Sequence, residues 1–286
     1  MISIIGIGNA GCAIASKFQS QKNYKVYKLS NSEKTKAKSY KLQSFDSPED
    51  YEQNVPDLKM FFDDITDDVQ VFVVGSAMSS NYVLGVLEQI KDKSIELFYI
   101  KPDIELLTGI PKLVENVMFG VLQEYARSGV FKSITLLSNL EIEKYLDNVS
   151  IKNYYDSLNT TIFSTVHYLN FFTYTEPEIG QMSRPSSVNR IRTIGMLNIK
   201  NLNEKWLFEL DSPREMCYYI CVNEERLENE AGLHKQIVDK LKSKPRNAFR
   251  KISYGIWETH LNDFGFCVAH TNAIQQQNTL DMLEQE

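Results

Sequence analysis

The chain opens with an apolar, β-branched run, Ile2–Ile7, that passes directly into Gly6-x-Gly8-x-x-Gly11. Residues 10–18 then carry apolar side chains at the spacing of a short helix. A buried strand that must become a helix within a few residues leaves few architectures open. It reads as the first βα unit of an open α/β sheet. Glycine lets the backbone turn sharply and expose its N–H groups, and the helix start adds a partial positive charge. Such a turn cradles an anion, most often a nucleotide phosphate, although glycines there also serve plain helix–strand packing. With only 13 glycines in 286 residues, the cluster at Gly6, Gly8 and Gly11 stands out.

The pattern continues downstream. Residues 24–29 predict a second strand, followed by a lysine-rich segment (Lys34, Lys36, Lys38, Lys41) that is either a solvated surface or a basic loop near a phosphate. Pro56 predicts the start of a helix carrying Leu58, Phe61, Phe62 and Ile65. Residues 69–74 form a strong buried-strand signal that ends in Gly75-Ser76-Ala77-Met78-Ser79-Ser80-Asn81, ahead of a helical pattern through Val83, Val86, Leu87 and Ile90. In open α/β sheets ligands collect at this carboxyl edge. Strands at 95–100 and 134–137 flank a helix at 112–126. Its stripe of Leu113, Val114, Val117, Met118, Val121, Leu122 and Tyr125 predicts core packing.

Alternation of strand and helix to about residue 140 calls for a parallel, doubly wound sheet. A long helix over 151–171 follows, then an irregular stretch. Strands at 191–199, 215–222, 249–257 and 264–270, with a charged helix at 224–242, predict a smaller α+β domain. The expected organisation is a nucleotide-binding domain over 1–150, a central helix and loop over 151–190, an α+β domain over 191–274 and a polar tail over 275–286.

Hydrophobic content of 43% and charged content of 24% fit a soluble globular protein. The net charge of −6 argues against a direct nucleic-acid partner. No apolar stretch reaches the roughly 18–20 residues needed to cross a bilayer, so no membrane insertion is expected. No basic n-region or cleavage site is read at the start. Cys12, Cys217, Cys221 and Cys267 are scattered, and Cys217 and Cys221 share one face of a strand as buried thiols. His167, His234, His260 and His270 make no ligand-like cluster, so no metal site is expected, and a reducing cytoplasm is the expected compartment.

The nucleotide class turns on further residues. A dinucleotide site usually places a carboxylate at the end of the second strand, where this chain has Lys28-Leu29-Ser30-Asn31. Another template fits the order of elements. Ile4-Ile5-Gly6-Ile7-Gly8-Asn9-Ala10-Gly11, residues 71–81, Ile100-Lys101-Pro102, Ile134-Thr135-Leu136-Leu137-Ser138-Asn139 and Tyr155-Asp156 together resemble the motifs of the tubulin/FtsZ superfamily over nearly the whole chain. The resemblance implies GTP or GDP, with Mg²⁺ accompanying it. Phosphates would lie on Gly6, Gly8, Asn9 and Gly11 and on Gly75, Ser76, Ser79, Ser80 and Asn81. It also implies that Asp156 reads guanine, that Tyr154 or Tyr155 stacks on the base, and that Glu176 and Glu178 complete hydrolysis across a subunit contact. Self-assembly would run head to tail, a contact type that does not close and so makes filaments.

Residues 75–81 keep one glycine of that family's glycine-rich signature, with Met78 adding bulk. The acidic loop reads Tyr174-Thr-Glu-Pro-Glu178, with Pro177 fixing its backbone. The sequence therefore predicts a cytoplasmic filament protein with slow GTP hydrolysis or none. A non-polymerising nucleotide-binding or regulatory protein on the same fold, and an NAD(P)-dependent oxidoreductase, are the alternatives.

Overall fold

The structure is a computed structural model that describes residues 1–146, 149–245 and 250–276. Most of the polar tail expected over 275–286 lies outside the described residues. The chain divides into two compact units, Met1–Thr135 with the segment from Ala273, and Leu136–Asn272.

In the first unit β1 (Ile2–Ile7) is buried along its whole length and leads without a loop into α1 (Gly8–Lys17). There follow β2 (Tyr24–Ser30), β3 (Ser39–Lys41), α2 (Pro48–Gln53), β4 (Asp68–Val74), α3 (Val83–Glu88), β5 (Ser94–Lys101) and α4 (Ile110–Arg127). The strands run in the order β3-β2-β1-β4-β5, and each neighbouring pair is parallel. Strands covered on both faces need continuous apolar runs, which is why β1 and β4 read as they do. Register places Gly6 beside Phe72 and Ile7 beside Val73, so the carboxyl ends of β1 and β4 emerge together. Phe72 stacks on Phe98 at 4.9 Å beneath that edge.

Two local expectations change in this unit, at residues 58–65 and in α4. Residues 58–65 form successive turns, not a helix. The Leu58 amide donates to Gln89 Oε1 at 2.7 Å, and the Phe61 and Phe62 rings each lie 5.6 Å from Tyr27. The aromatic cluster overrides the helical spacing. Lys38 bonds Asp64 at 2.8 Å and sits 4.4 Å over the Tyr27 ring, so that lysine serves the surface of the unit. Helix α4 is rotated relative to the expected packing. Val114, Met118 and Leu122 are buried as read, but Leu113 and Val117 are 65% and 60% exposed while Glu115 and Gln123 are wholly buried. Gln123 exchanges two hydrogen bonds with the backbone of Gln275, which anchors the returning chain.

The second unit takes up the chain within β6 (Ser133–Ser138) and continues through α5 (Asn139–Glu143), α6 (Tyr154–Thr173), β7 (Ile179–Gln181), β8 (Ile191–Asn198), β9 (Asn203–Trp206), β10 (Glu215–Asn223), α7 (Glu224–Asn229), α8 (Leu233–Ser243), β11 (Lys251–Thr259) and β12 (Phe264–Thr271). Its strands lie in the order β8-β12-β10-β11-β7, with β9 hairpinned onto β8. Only β10 and β11 are parallel in this group, and α7 and α8 form the crossover between them. Leu233, Ile237 and Leu241 of α8 bury against Tyr218, Ile220 and Ile256. The charged helix expected over 224–242 is broken: Glu230 turns extended at the end of α7, and Gly232, left-handed at φ +81°, precedes the first residue of α8. All four cysteines are free and buried. A parallel sheet, a long helix and a mixed α+β remainder are thus the architecture of the chain. No helix among the described residues is long and apolar enough to cross a membrane.

Candidate functional site

The three leading glycines do different work. A Cβ on Gly6 would lie 2.5 Å from the Gly11 carbonyl oxygen, and one on Gly11 would lie 2.4 Å from that of Phe72. These two let α1 sit directly on β1 and β4. Gly8 has φ +76°, and a Cβ there would meet Ser79 Oγ at 2.5 Å. The first and second strand-to-helix turns are therefore in contact, at Gly8 and Ser79. No side chain caps the start of α1 and its first turn holds no acidic residue. Its leading N–H groups, which have no partner within the helix, face an anion's requirements directly. Asn9 and Ala10 are exposed there, and Asn9 Oδ1 accepts from Ser32 Oγ at 2.7 Å, which fixes the side chain. Beneath the turn the Cys12 thiol donates to the Gly6 carbonyl, and burial pushes its pKa up to about 12. That thiol is a packing group.

The second turn is held by its own side chains. Ser80 Oγ donates to the Val74 carbonyl at 2.8 Å and Asn81 Nδ2 to that of Met78 at 2.9 Å, and both residues are buried. Ser76 stands in a left-handed conformation at φ +64°, uncommon for a residue with a Cβ. Ser76, Met78 and Ser79 are half-buried. Gly75 is filled from below: a Cβ there would fall 1.8 Å from Glu115 Oε2 and 2.4 Å from the Tyr99 hydroxyl. Tyr99 donates to Glu115 Oε2 at 2.6 Å, and the Ser76 backbone N–H faces the same carboxyl. Glu115 Oε1 is buried with no hydrogen-bond partner among the described residues. Burial raises the carboxyl's pKa against the opposing pull of Tyr99, Lys101 and Ser76, and burial lowers that of Lys101. Lys101 Nζ lies 4.5 Å over the Phe119 ring.

Glu115 and Tyr99 escaped the sequence reading. The available signal was polar Glu115 and Gln123 on one flank of α4 with Phe119 between them, at i, i+4 and i+8.

The other predicted residues lie in the second unit. Asp156 is exposed in the first turn of α6, and its carbonyl accepts from Thr160. Tyr155 is exposed, whereas Tyr154 donates to Glu143 Oε2 at 2.8 Å. Glu176 and Glu178 are exposed just before β7, and the Glu178 amide donates to the Ile256 carbonyl at 2.8 Å. At the end of β2, Asn31 donates to Ser44 and Ser30 pairs with Ser32, with no carboxylate at the strand end itself. No three His, Cys, Asp or Glu side chains converge as a metal site among the described residues.

No family model matches the sequence, and no curated protein matches it. Solved structures do match in fold. The GTPγS-form protofilament of Bacillus thuringiensis serovar israelensis TubZ is 12% identical, with a TM-score of 0.69 over 96% of this chain and 87% of that one. CetZ2 from Haloferax volcanii, a GTPγS-bound protofilament, is 11% identical with a TM-score of 0.66 over 97% and 95%. The M. jannaschii FtsZ dimer is 13% identical with a TM-score of 0.64 over 94% and 88%. The chain therefore has the tubulin/FtsZ-like fold of these structures, at 11–13% sequence identity.

Proposed function

We propose that the protein is a cytoskeletal filament subunit of the cytoplasm that binds a guanine nucleotide and assembles head to tail. The observation that carries this reading is the meeting of the two turns at Gly8 and Ser79, beside an uncapped helix start on a tubulin/FtsZ fold. A phosphate chain is the ligand that such N–H groups accept. Its phosphates would lie on the 6–11 turn and against Ser76 and Ser79, with Asp156 as the guanine reader, since one carboxylate can accept from both N1–H and the exocyclic amine. A Mg²⁺ ion would travel with the nucleotide, held largely by phosphate oxygens and water.

Turnover is expected to be slow or absent. Ser80 and Asn81 are committed within their own loop, and Pro177 separates the acidic pair Glu176 and Glu178. TubZ and CetZ2 relatives that form protofilaments support the assembly reading. The test is negative-stain imaging and pelleting of the purified protein with GTP, with GDP, with NADH and without nucleotide. Filaments with GTP or GDP are expected. A protein that stays monomeric at high concentration in every condition defeats the filament reading and favours a non-polymerising regulatory relative.

A further inference from the structure

The carboxyl of Glu115 packs directly under the second strand-to-helix turn. It is wholly buried beneath the 75–81 turn, pressed against Gly75, held by the Tyr99 hydroxyl, faced by the Ser76 backbone, and left with one oxygen unpartnered among the described residues. A buried acceptor without a donor is costly, and more so when it is charged. A proton on that oxygen removes the charge and so most of the cost. The charged and titratable groups facing the carboxyl are Tyr99 and Lys101, both from β5. Among the described residues no second carboxylate faces it, and no histidine belongs to the first unit.

We propose that Glu115 is the positioning residue of the second turn and that an anion bound on that turn takes up a proton at its carboxyl. This rests on the nucleotide-binding reading above. The first half follows from contact: with most of the signature glycines absent, the carboxyl holds Ser76 in its left-handed conformation and so sets the direction of the turn. The second half follows from Coulomb's law. A phosphate above the turn and a carboxylate below it are like charges in a poorly solvated place, and each disfavours the other. Binding therefore draws in a proton, and a lower pH tightens binding.

The experiment is calorimetric titration of GTPγS into the full chain between pH 6 and 8.5, for the wild type, Glu115→Gln and Tyr99→Phe. The nucleotide's own ionisation is common to all three, so the difference between profiles isolates the protein. Wild-type affinity should gain up to about tenfold per pH unit over part of the range relative to Glu115→Gln, one proton's worth of linkage. Tyr99→Phe keeps the carboxyl and should keep the pH dependence. Identical profiles for wild type and Glu115→Gln overturn the proton coupling. Hydrogen exchange of the 76–81 amides reads the positioning role without nucleotide: Glu115→Ala should speed it and Glu115→Gln should not. Unchanged exchange in Glu115→Ala overturns that role. A wild type that binds no nucleotide at any pH instead defeats the nucleotide reading itself and the proton coupling with it.

Discussion

The two strand-to-helix turns of the parallel sheet touch each other and are built by opposite means. The 6–11 turn is almost bare: its glycines stand where a Cβ would strike backbone or Ser79, and nothing caps the helix that follows. The 75–81 turn is furnished with side chains. Ser80 and Asn81 bond back to the loop's own carbonyls, and Glu115 fills the space under Gly75. A glycine-rich phosphate loop combines close backbone approach with outward N–H groups. The first turn has the close approach and an uncapped helix start, whereas the second is packed from below by Glu115 and gives the Ser80 hydroxyl and the Asn81 amide to internal bonds. Anion affinity should therefore concentrate on the first turn, and sensitivity to side-chain changes on the second.

The sharpest way to break this comparison is Gly11→Val. Its Cβ would lie 2.4 Å from the Phe72 carbonyl oxygen, with backbone on both sides of the contact. A loss of about 3 kcal/mol in urea denaturation is expected, at the upper end for overpacking. A loss under about 1 kcal/mol would mean that α1 moves off the sheet easily, and the tight-contact account would be wrong.

In the second turn the expected effects are smaller and depend on the residue. Ser80→Ala removes a bond to the Val74 carbonyl and should cost about 1 kcal/mol. Ser79→Ala, over Gly8, should change stability by less than about 0.5 kcal/mol. Equal losses at the two serines would erase the distinction between the internally bonded Ser80 hydroxyl and that of Ser79.

The smallest effects are pH-dependent and of opposite sign. Burial raises the Glu115 pKa above its ordinary 4.5, so its stabilising contribution is full at low pH and is lost as pH rises through the folded value. Melting temperature should therefore fall with rising pH in the wild type relative to Glu115→Gln. Asp64 is held well below the usual carboxylate range, first by the Lys38 ammonium and then by the Tyr27 hydroxyl. Its contribution is present above about 3.8 and fades as pH falls below that value. Asp64→Asn should flatten only the acid limb, modestly, because the group is exposed to solvent.

The parallel strands were legible because burial on both faces demands nearly continuous apolar runs, as in Ile2–Ile7 and residues 69–74, where Ser3 and Gln70 are the only polar residues. Glycine spacing marked the first turn for the same reason, since only glycine fits at Gly6 and Gly11. Helix rotation was not legible. Helix α4 carries apolar residues over more than half its circumference, so periodicity could not tell that Leu113 and Val117 face outward while Glu115 faces in. The false helix over 58–65 has a related cause. Phe61 and Phe62 satisfied a helical spacing, but contacts with Tyr27 and Tyr40, distant in sequence, decide their place. Side-chain direction in the 75–81 turn depends on such distant partners too, which is why four candidate polar residues there could not be sorted from sequence.

The central claim is that the 6–11 turn holds a guanine nucleotide's phosphates. Binding of GTPγS and of NADH to the wild type and to Gly8→Ala tests it, with urea denaturation confirming that both proteins fold. An alanine at φ +76° is strained, and its Cβ would sit 2.5 Å from Ser79 Oγ at the proposed phosphate position. GTPγS should bind the wild type and weaken at least about tenfold in Gly8→Ala, equivalent to about 1.4 kcal/mol, with no NADH binding to either. NADH binding in place of GTPγS, or equal GTPγS affinity in wild type and Gly8→Ala, would contradict the claim.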